Sequence, residues 1–542
     1  VSLTVYRASE IITLDSNCPV ADTVAVLDER ILHVGTYEQV VEALGDQTYS
    51  TDLRFQHDVI VPGFIEAHGH LSIDGGLGQL VWTGLDDRAR ADGVVASGCR
   101  TVEEVLDRLR EHVGEKDTIV GYGFDPVFHG GRGLRREDLD RVSTTQGVLV
   151  ANASLHLVYV NSVQMQRKGV DASTTHEGVM KDANGQPTGE FHETAMGLVL
   201  DSMSVLTGEV EGAVRAGAEL LRQVGVTSGS DLALFAAGED FETYARVTNE
   251  DSFPVRVFYS PHAAAMSRDF APAALLEHLR ALRSRNSARF AMGPIKLIAD
   301  GSIQGFTGKL KWPGYCGGDD HGFLILDEDD VVAMMTPLHE DGFQVAIHAN
   351  GDEAIDVVLR AIDRVLQRSP QGDHRHRLEH CQMASRATMR KMANLGVGAN
   401  LFSNHIYYWG DIHRTTTMGA DKARRMDAAN TALNEGLAIS LHSDHPVTPV
   451  NPLFTMWCAV NRRTRSGVEL GPAERITALQ ALTAMTLGSA YLLKRDEVLG
   501  SIEVGKYADF TVLGQSPLLV DPMSIKDIAV RATVVAGQPT TN

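Results

Sequence analysis

Basic residues are scarce in this chain. Its 542 residues hold 49 Lys+Arg against 70 Asp+Glu, a formal net charge of −21, with no extended basic tract. Such a field repels a phosphate backbone, which argues against nucleic acid as a partner. Cysteine is also rare: the five, at positions 18, 99, 316, 381 and 458, are odd in number, scattered and free of any CxxC pair. That excludes a disulfide framework and suits a reducing compartment. No stretch approaches the roughly 18 uninterrupted apolar residues of a membrane span. The opening VSLTVYRASEIITLD lacks a positive n-region followed by an apolar h-region. There is no tandem repeat and no low-complexity tract. Together these absences point to a soluble cytoplasmic protein without a membrane partner.

What is present is globular: 43% hydrophobic and 22% charged residues, enough for a sizeable core. The length exceeds the roughly 100–200 residues of an ordinary domain, although barrels with insertions run longer. Residues 2–36 alternate apolar and polar in short runs (LTVYRA, IITLD, TVAVLD, RILHVG) broken by turn formers, and ADFTVLG and AVRATVVAG repeat the pattern near the other end. These read as strands from both chain ends joining in one small β-sandwich, since domain termini usually lie close together.

Between them, apolar strands such as VIVPGFIEAH, PVRVFYS, IKLIADGS, FQVAIHANGD, HRLEHCQ and LAISLHSD alternate with helical stretches such as AIDVVLRAIDRVLQ. Strand–helix repetition implies a parallel sheet covered by helices, and about eight units favour an α/β fold of the closed (β/α)8 TIM-barrel type. The first strand ends near His70 and the next begins near Gly225, so a subdomain of residues 75–210 or so is inserted there, expected over the barrel mouth. The implied layout is 1–61 for the first part of the β-sandwich, 62–494 for the barrel with its insertion, and 495–542 for the second part.

His68-Gly69-His70 closes the run IVPGFIEAHGH. On a strand, residues i and i+2 share a face, so two imidazoles would project together and suit a divalent metal. Barrel active sites sit at the C-terminal ends of the strands, and further candidate ligands recur at such ends: His348 in FQVAIH, His380 in HRLEH and Asp444 in LAISLHSD. Lys296 lies within the apolar strand GPIKLIAD, where an unpaired ammonium would cost several kcal/mol. Either it pairs with Asp300, four residues on, or its lowered pKa lets it react with CO2 and present a carbamate that bridges two metal ions.

The motifs VIVPGFIEAHGH, IKLIADGS, AIHANGD, RLEH and SLHSDHPV, with GKYADFTVL near the end, resemble those of the amidohydrolase superfamily, nearest to its amidohydrolase-3 branch, and the likeness runs over nearly the whole chain. The resemblance implies a barrel with a β-sandwich from both ends. It also implies His68, His70 and Asp444 on a more buried metal, a carboxylated Lys296 bridging, and His348 and His380 on a second metal. Two zinc ions are the default, with Mn, Fe or Co compatible with the same N/O donors. The resemblance further implies a homodimer. The chain departs from the family pattern at Glu66, where Asp is commoner, and at Cys381 and His445, where small residues are usual.

The implied chemistry is metal-dependent hydrolysis of a non-peptide C–N bond in a small molecule: an amide, carbamate or N-acyl amine. A hydroxide held between two divalent ions attacks the carbonyl, with Asp444 as the catalytic proton shuttle. A lactone or ester hydrolase or a deaminase would use the same barrel. A mononuclear deaminase would not need Lys296 and usually carries a Glu after the fifth-strand histidine, where this chain has Ala349-Asn350-Gly351-Asp352. A non-catalytic regulatory protein would be marked by lost ligands, and all six positions are filled. Substrate contacts are expected from Asn404, His405, Tyr407 and Trp409 after the seventh strand and from His156 and Asn161 in the insertion, each weighed against an ordinary loop role. Tyr407, Tyr408 and Trp409 suit an aryl substituent or simple packing. Arg462 and Arg463 read as a solvated helix face, with carboxylate binding as the other option.

Overall fold

A computed structural model describes residues 2–200, 208–234, 238–267, 270–318 and 320–541. The chain divides into two compact units, Val1–His70 with Leu221–Asn542, and Leu71–Leu220.

The first unit holds eight short parallel strands: β1 (Phe64–Glu66), β2 (Val226–Leu234), β3 (Arg256–Pro261), β4 (Ile295–Ile298), β5 (Val345–Ala349), β6 (Arg377–His380), β7 (Gly398–Leu401) and β8 (Ile439–Leu441). β1 to β3 pair in chain order, with Phe290–Met292 beside β3, and β4 to β8 pair in chain order. A parallel bridge between His262 and Lys296 joins the two arcs. On the far side, Glu66 accepts from the Ser443 N–H at 3.1 Å and its hydroxyl at 2.9 Å, and the His70 N–H donates to the His445 carbonyl at 2.8 Å. Parallel strands following the chain, with helices between, make the (β/α)8 TIM barrel. The strands read as continuous apolar runs because helices and the barrel interior cover both faces; every residue of β5 is buried.

The helix Asp352–Arg368 shows the complementary pattern. Ile355, Val358, Leu359, Ile362 and Val365 recur at helical spacing and are buried, each contributing about 1.5–3 kcal/mol. Where β1 meets β2 the approach is so close that a Cβ on Gly63 would stand 2.0 Å from Thr227 Oγ1.

Both chain ends enter one eight-stranded sheet. Its order runs Gln538–Thr541, Val530–Val535, Phe510–Leu513, Val59–Pro62, Leu3–Ile12, Val20–Leu27 and Arg30–Gly35, with Ser50–Asp52 also pairing to Leu3–Ile12. One face buries Ile11, Val24, Ile60, Phe510, Val512 and Val534 together. A fully buried ion pair, Arg256 Nε to Asp509 Oδ2 at 2.6 Å, ties the start of β3 to this sheet.

The second unit is built on a six-stranded sheet ordered Val179–Lys181, Pro187–His192, Leu157–Val160, Gly147–Asn152, Thr118–Phe124 and Val81–Trp82. Its core gathers Tyr122, Leu149, Val158, Val160 and Phe191. The turn in DANGQPTGE is set by Asp182, whose carboxylate accepts the N–H groups of Asn184 and Gln186. Among the described residues, no helix is long and apolar enough to cross a membrane.

Candidate metal centre

The local geometry of the first motif differs from the strand expected for it. β1 stops at Glu66, and His68 and His70 lie in the turn beyond, held by the His70 N–H bond to His445 and by Leu232 N–H donating to the Gly69 carbonyl. The two rings still converge: His68 Nε2 stands 3.1 Å and His70 Nε2 3.4 Å from Asp444 Oδ1. Gly69 is required because a Cβ there would sit 2.0 Å from His445 Nε2.

A buried polar layer beneath orients His68. Arg377 and Glu379 alternate on β6 and face the barrel interior, both fully buried, with Arg377 Nε 2.6 Å from Glu379 Oε1. Glu379 Oε2 lies 2.5 Å from His68 Nδ1 and accepts from Asn400 Nδ2 at 3.0 Å. Arg377 also donates to the carbonyls of Ala67 and Leu492. Burial raises the Glu379 pKa, but Arg377 and His68 outweigh it and hold the carboxyl well below the ordinary range. The carboxylate therefore takes the His68 Nδ1 proton as a hydrogen bond, which leaves the Nε2 lone pair directed at Asp444. Sequence reasoning took His380 from RLEH and passed over Arg377 and Glu379; two opposite charges at i and i+2 of one strand were the available signal.

Strict alternation on β6 would turn His380 away from the interior side that Arg377 and Glu379 occupy. His380 instead adopts φ +69, followed by Cys381 at +49. This left-handed pair brings His380 Nε2 to 3.0 Å from His348 Nδ1. Asp444 is left-handed as well, at φ +52. Conformations of this kind cost about 1–3 kcal/mol each in non-glycine residues and concentrate at functional sites.

Lys296 is buried on β4. Burial pushes its amine down to about 8, against the pull of Glu379 and Asp444 in the other direction. Asp300 is otherwise engaged: its carboxylate accepts the backbone N–H groups of Lys309, Asn350 and Gly351, each at 2.9 Å, and lies 3.7 Å from His348 Nε2. The carboxylates acting on Lys296 are thus Glu379 and Asp444. Glu66, fully buried, is raised by burial to about 7.

The donors suit a divalent cation. His70 Nδ1, His380 Nδ1 and Asp444 Oδ1 are buried without hydrogen-bond partners among the described residues. The candidate ligand atoms of His68, His70 and Asp444 lie within 4.8 Å of one another, as do those of His68, His380 and His442. Imidazole nitrogens and a carboxylate in this arrangement are zinc-type ligands. His442 was not singled out from the sequence, although it stands two residues before Asp444 in LHSDH, the spacing that shares a face.

The pocket candidates separate. In the first unit Asn404 is fully buried and its Nδ2 donates to Thr448 Oγ1 at 2.8 Å. His405 Nδ1 contacts Gln382 Nε2 at 2.6 Å and His413 Nε2 at 3.2 Å, and Asp444 and His442 both act on its charge. Tyr407 packs edge-on against Phe454 and Tyr408, and Trp409 lies buried against His405. Arg462 is no solvated helix face: it is fully buried and donates to the carbonyls of Leu470, Asp427 and Met426. Arg463 is partly exposed near Glu469.

In the second unit His156 Nδ1 pairs with Glu193 Oε2 at 2.9 Å. Asn161 is fully buried and caps the helix Ser162–Arg167. It accepts from Val148 and Gln164 N–H and donates to the Ser143 and Gln146 carbonyls. No donor or acceptor of its amide remains for a substrate, and capping explains its place in the sequence.

Comparison with known proteins accords with this geometry. The amidohydrolase family model matches residues 58–541. YtcJ of Bacillus subtilis (strain 168), an amidohydrolase by name, is 27% identical over 531 residues, covering 95% of this chain and 95% of that one. N-substituted formamide deformylase of Arthrobacter pascens is 26% identical over 537 residues, 97% of this chain and 96% of that one. Among solved structures, a metal-dependent hydrolase from Pyrococcus horikoshii OT3 shares the fold with a TM-score of 0.75 at 21% identity, covering 96% of this chain and 99% of that one.

Proposed function

This chain belongs to the amidohydrolase family and is an enzyme that hydrolyses carbon–nitrogen bonds, and we propose that it cleaves a non-peptide amide, carbamate or N-acyl amine of a small molecule. One observation carries the reading: buried donor atoms of His68, His70, His380 and Asp444 converge, several of them without hydrogen-bond partners. His68, His70 and Asp444 would hold one divalent ion, and His348 and His380 a second, with Lys296 between them. Bound there, such an ion supplies Lewis acidity and brings the pKa of water near 7.

The chain's own groups supply the rest. Asp444 accepts the proton of the attacking water and returns it to the leaving nitrogen as the C–N bond breaks, releasing an amine and an acid. Glu379 keeps His68 in the required tautomer. With its amine lowered by burial to about 8, Lys296 is neutral far more often at pH 7 than an ordinary lysine. Only the neutral amine attacks CO2; it loses a proton and becomes a carbamate with two ligand oxygens.

The test is elemental analysis of chelator-free protein followed by assay of N-acyl amines, carbamates and their matched esters and lactones. Bound divalent metal, loss of turnover with a chelator, restoration by zinc, manganese or cobalt, and preference for the nitrogen compounds are expected. Protein without divalent metal, or turnover confined to esters and lactones, would overturn the reading.

A further inference from the structure

We propose that His442 is an additional metal ligand and forms, with His68 and His380, an all-imidazole cation seat inside the centre, an alternative to the seats above because His68 and His380 each give one lone pair to one ion at a time. The inference rests on the metal-centre reading above and adds a donor outside the six ligands given there.

His442 is fully buried just past the end of β8. Its ring plane lies within 17° of that of His68, centroids 4.6 Å apart, and within 27° of that of Phe402, 4.8 Å away, with His380 tilted at 5.0 Å. Neither ring nitrogen has a hydrogen-bond partner among the described residues. A neutral imidazole carries one donor and one acceptor, and each left unmet in a protein interior costs about 1–3 kcal/mol.

Buried histidines away from the centre do not bear that cost. His376 accepts from the Val345 N–H and contacts His339, which reaches the Ser369 carbonyl. His374 bonds the His376 N–H and the Leu395 carbonyl. His413 contacts Thr417 and His405. His442 alone among these stands with both nitrogens unmet, and its ligand atom lies within 4.8 Å of those of His68 and His380. Ligation draws the three atoms closer than they stand, because zinc–imidazole bonds are about 2.0–2.1 Å long.

Three neutral imidazoles bring no negative charge, so this site does not depend on Lys296 becoming a carbamate. It selects a cation that accepts nitrogen donors, zinc or cobalt before magnesium or calcium.

The experiment measures metal stoichiometry and affinity, not turnover, in wild type, His442→Phe, Lys296→Ala and the double variant. Phenylalanine keeps the volume and the stack while removing both nitrogens. Expected are at least tenfold weaker zinc binding for one equivalent in His442→Phe, one equivalent retained in Lys296→Ala, and at least tenfold weaker binding of that equivalent in the double variant. Should His442→Phe not fold, His442→Gln loaded with Co2+ replaces it, and a changed visible absorption band is expected. Zinc affinity and stoichiometry unchanged in His442→Phe, or a Co2+ band unchanged in His442→Gln, would overturn the proposal and leave the metal-centre reading standing. Wild-type protein that binds no divalent ion would overturn both.

Discussion

Glu379→Gln should weaken the protein and its metal site by separable amounts. The substitution keeps the shape of the side chain but removes the charge that faces Arg377 Nε at 2.6 Å and His68 Nδ1 at 2.5 Å, in a layer where both carboxylate and guanidinium are fully buried. Removing one partner of a buried ion pair leaves the other charge uncompensated, at a cost of about 3–5 kcal/mol. Losing the carboxylate behind a ligating histidine costs a further 10–100-fold in metal affinity, or about 1.4–2.8 kcal/mol. Arg377→Met/Glu379→Met separates the two effects, because an apolar pair of similar volume restores much of the stability while nothing holds the His68 tautomer. Denaturant unfolding of metal-free protein and competition titration with a zinc chelator read them independently. A single variant as stable as wild type, or a double variant with wild-type metal affinity, would refute the assignment of Glu379 as the group that orients His68.

Asp444→Asn is expected to lower kcat by at least about a hundredfold, the usual scale for a lost proton-transfer group, while elemental analysis still finds metal; near-normal turnover would end its role as proton shuttle. Lys296→Ala should lose about one metal equivalent and regain activity with added short-chain carboxylic acids, which can stand in for the carbamate. Gly69→Ala should drive a methyl group into His445, at a cost of about 1–3 kcal/mol by thermal denaturation, and should weaken metal binding by shifting the turn that carries His68 and His70. Acid should destabilise the barrel through His374 and His376. Burial holds both below their ordinary 6.5, aided at both by His339 and Lys494 and at His376 by His374, with Asp373 and the Leu395 carbonyl opposing at His374. The unfolded chain therefore binds more protons, so stability is full above pH 6.5 and falls below it, by up to about 1.4 kcal/mol per pH unit per group. His374→Gln/His376→Gln should flatten that slope between pH 6.5 and 5, and an unchanged slope would exclude these residues as its source.

Much of this arrangement was legible in order along the chain. Apolar strand runs alternating with amphipathic helices announced the parallel barrel, because period and length are local properties. The recurrence of His and Asp at strand ends marked the face on which the candidate metal centre is proposed. The length between His70 and Gly225 pointed to an insertion of residues 75–210 or so, and Leu71–Leu220 is one of the two compact units of the chain. Local readings failed where a residue's partner was distant or its backbone unusual. Asn161 resembled a substrate contact until its neighbours showed a helix cap, and Arg462 resembled a surface charge until three carbonyls were found around its guanidinium.

The sequence by itself determined which residues could ligate, through side-chain chemistry, and at which ends of which strands they would stand, through strand periodicity. Only the tertiary structure decided which of them meet. Glu379 reaches His68 across 311 residues of chain, and His380 turns inward because φ +69 breaks the alternation that would have pointed it away. His442 becomes conspicuous only once both its nitrogens are seen to be buried without partners. Periodicity assigns a side chain to a face. Barrel closure, strand register and a few left-handed residues determine what that face encloses, and these depend on contacts between segments far apart in the chain.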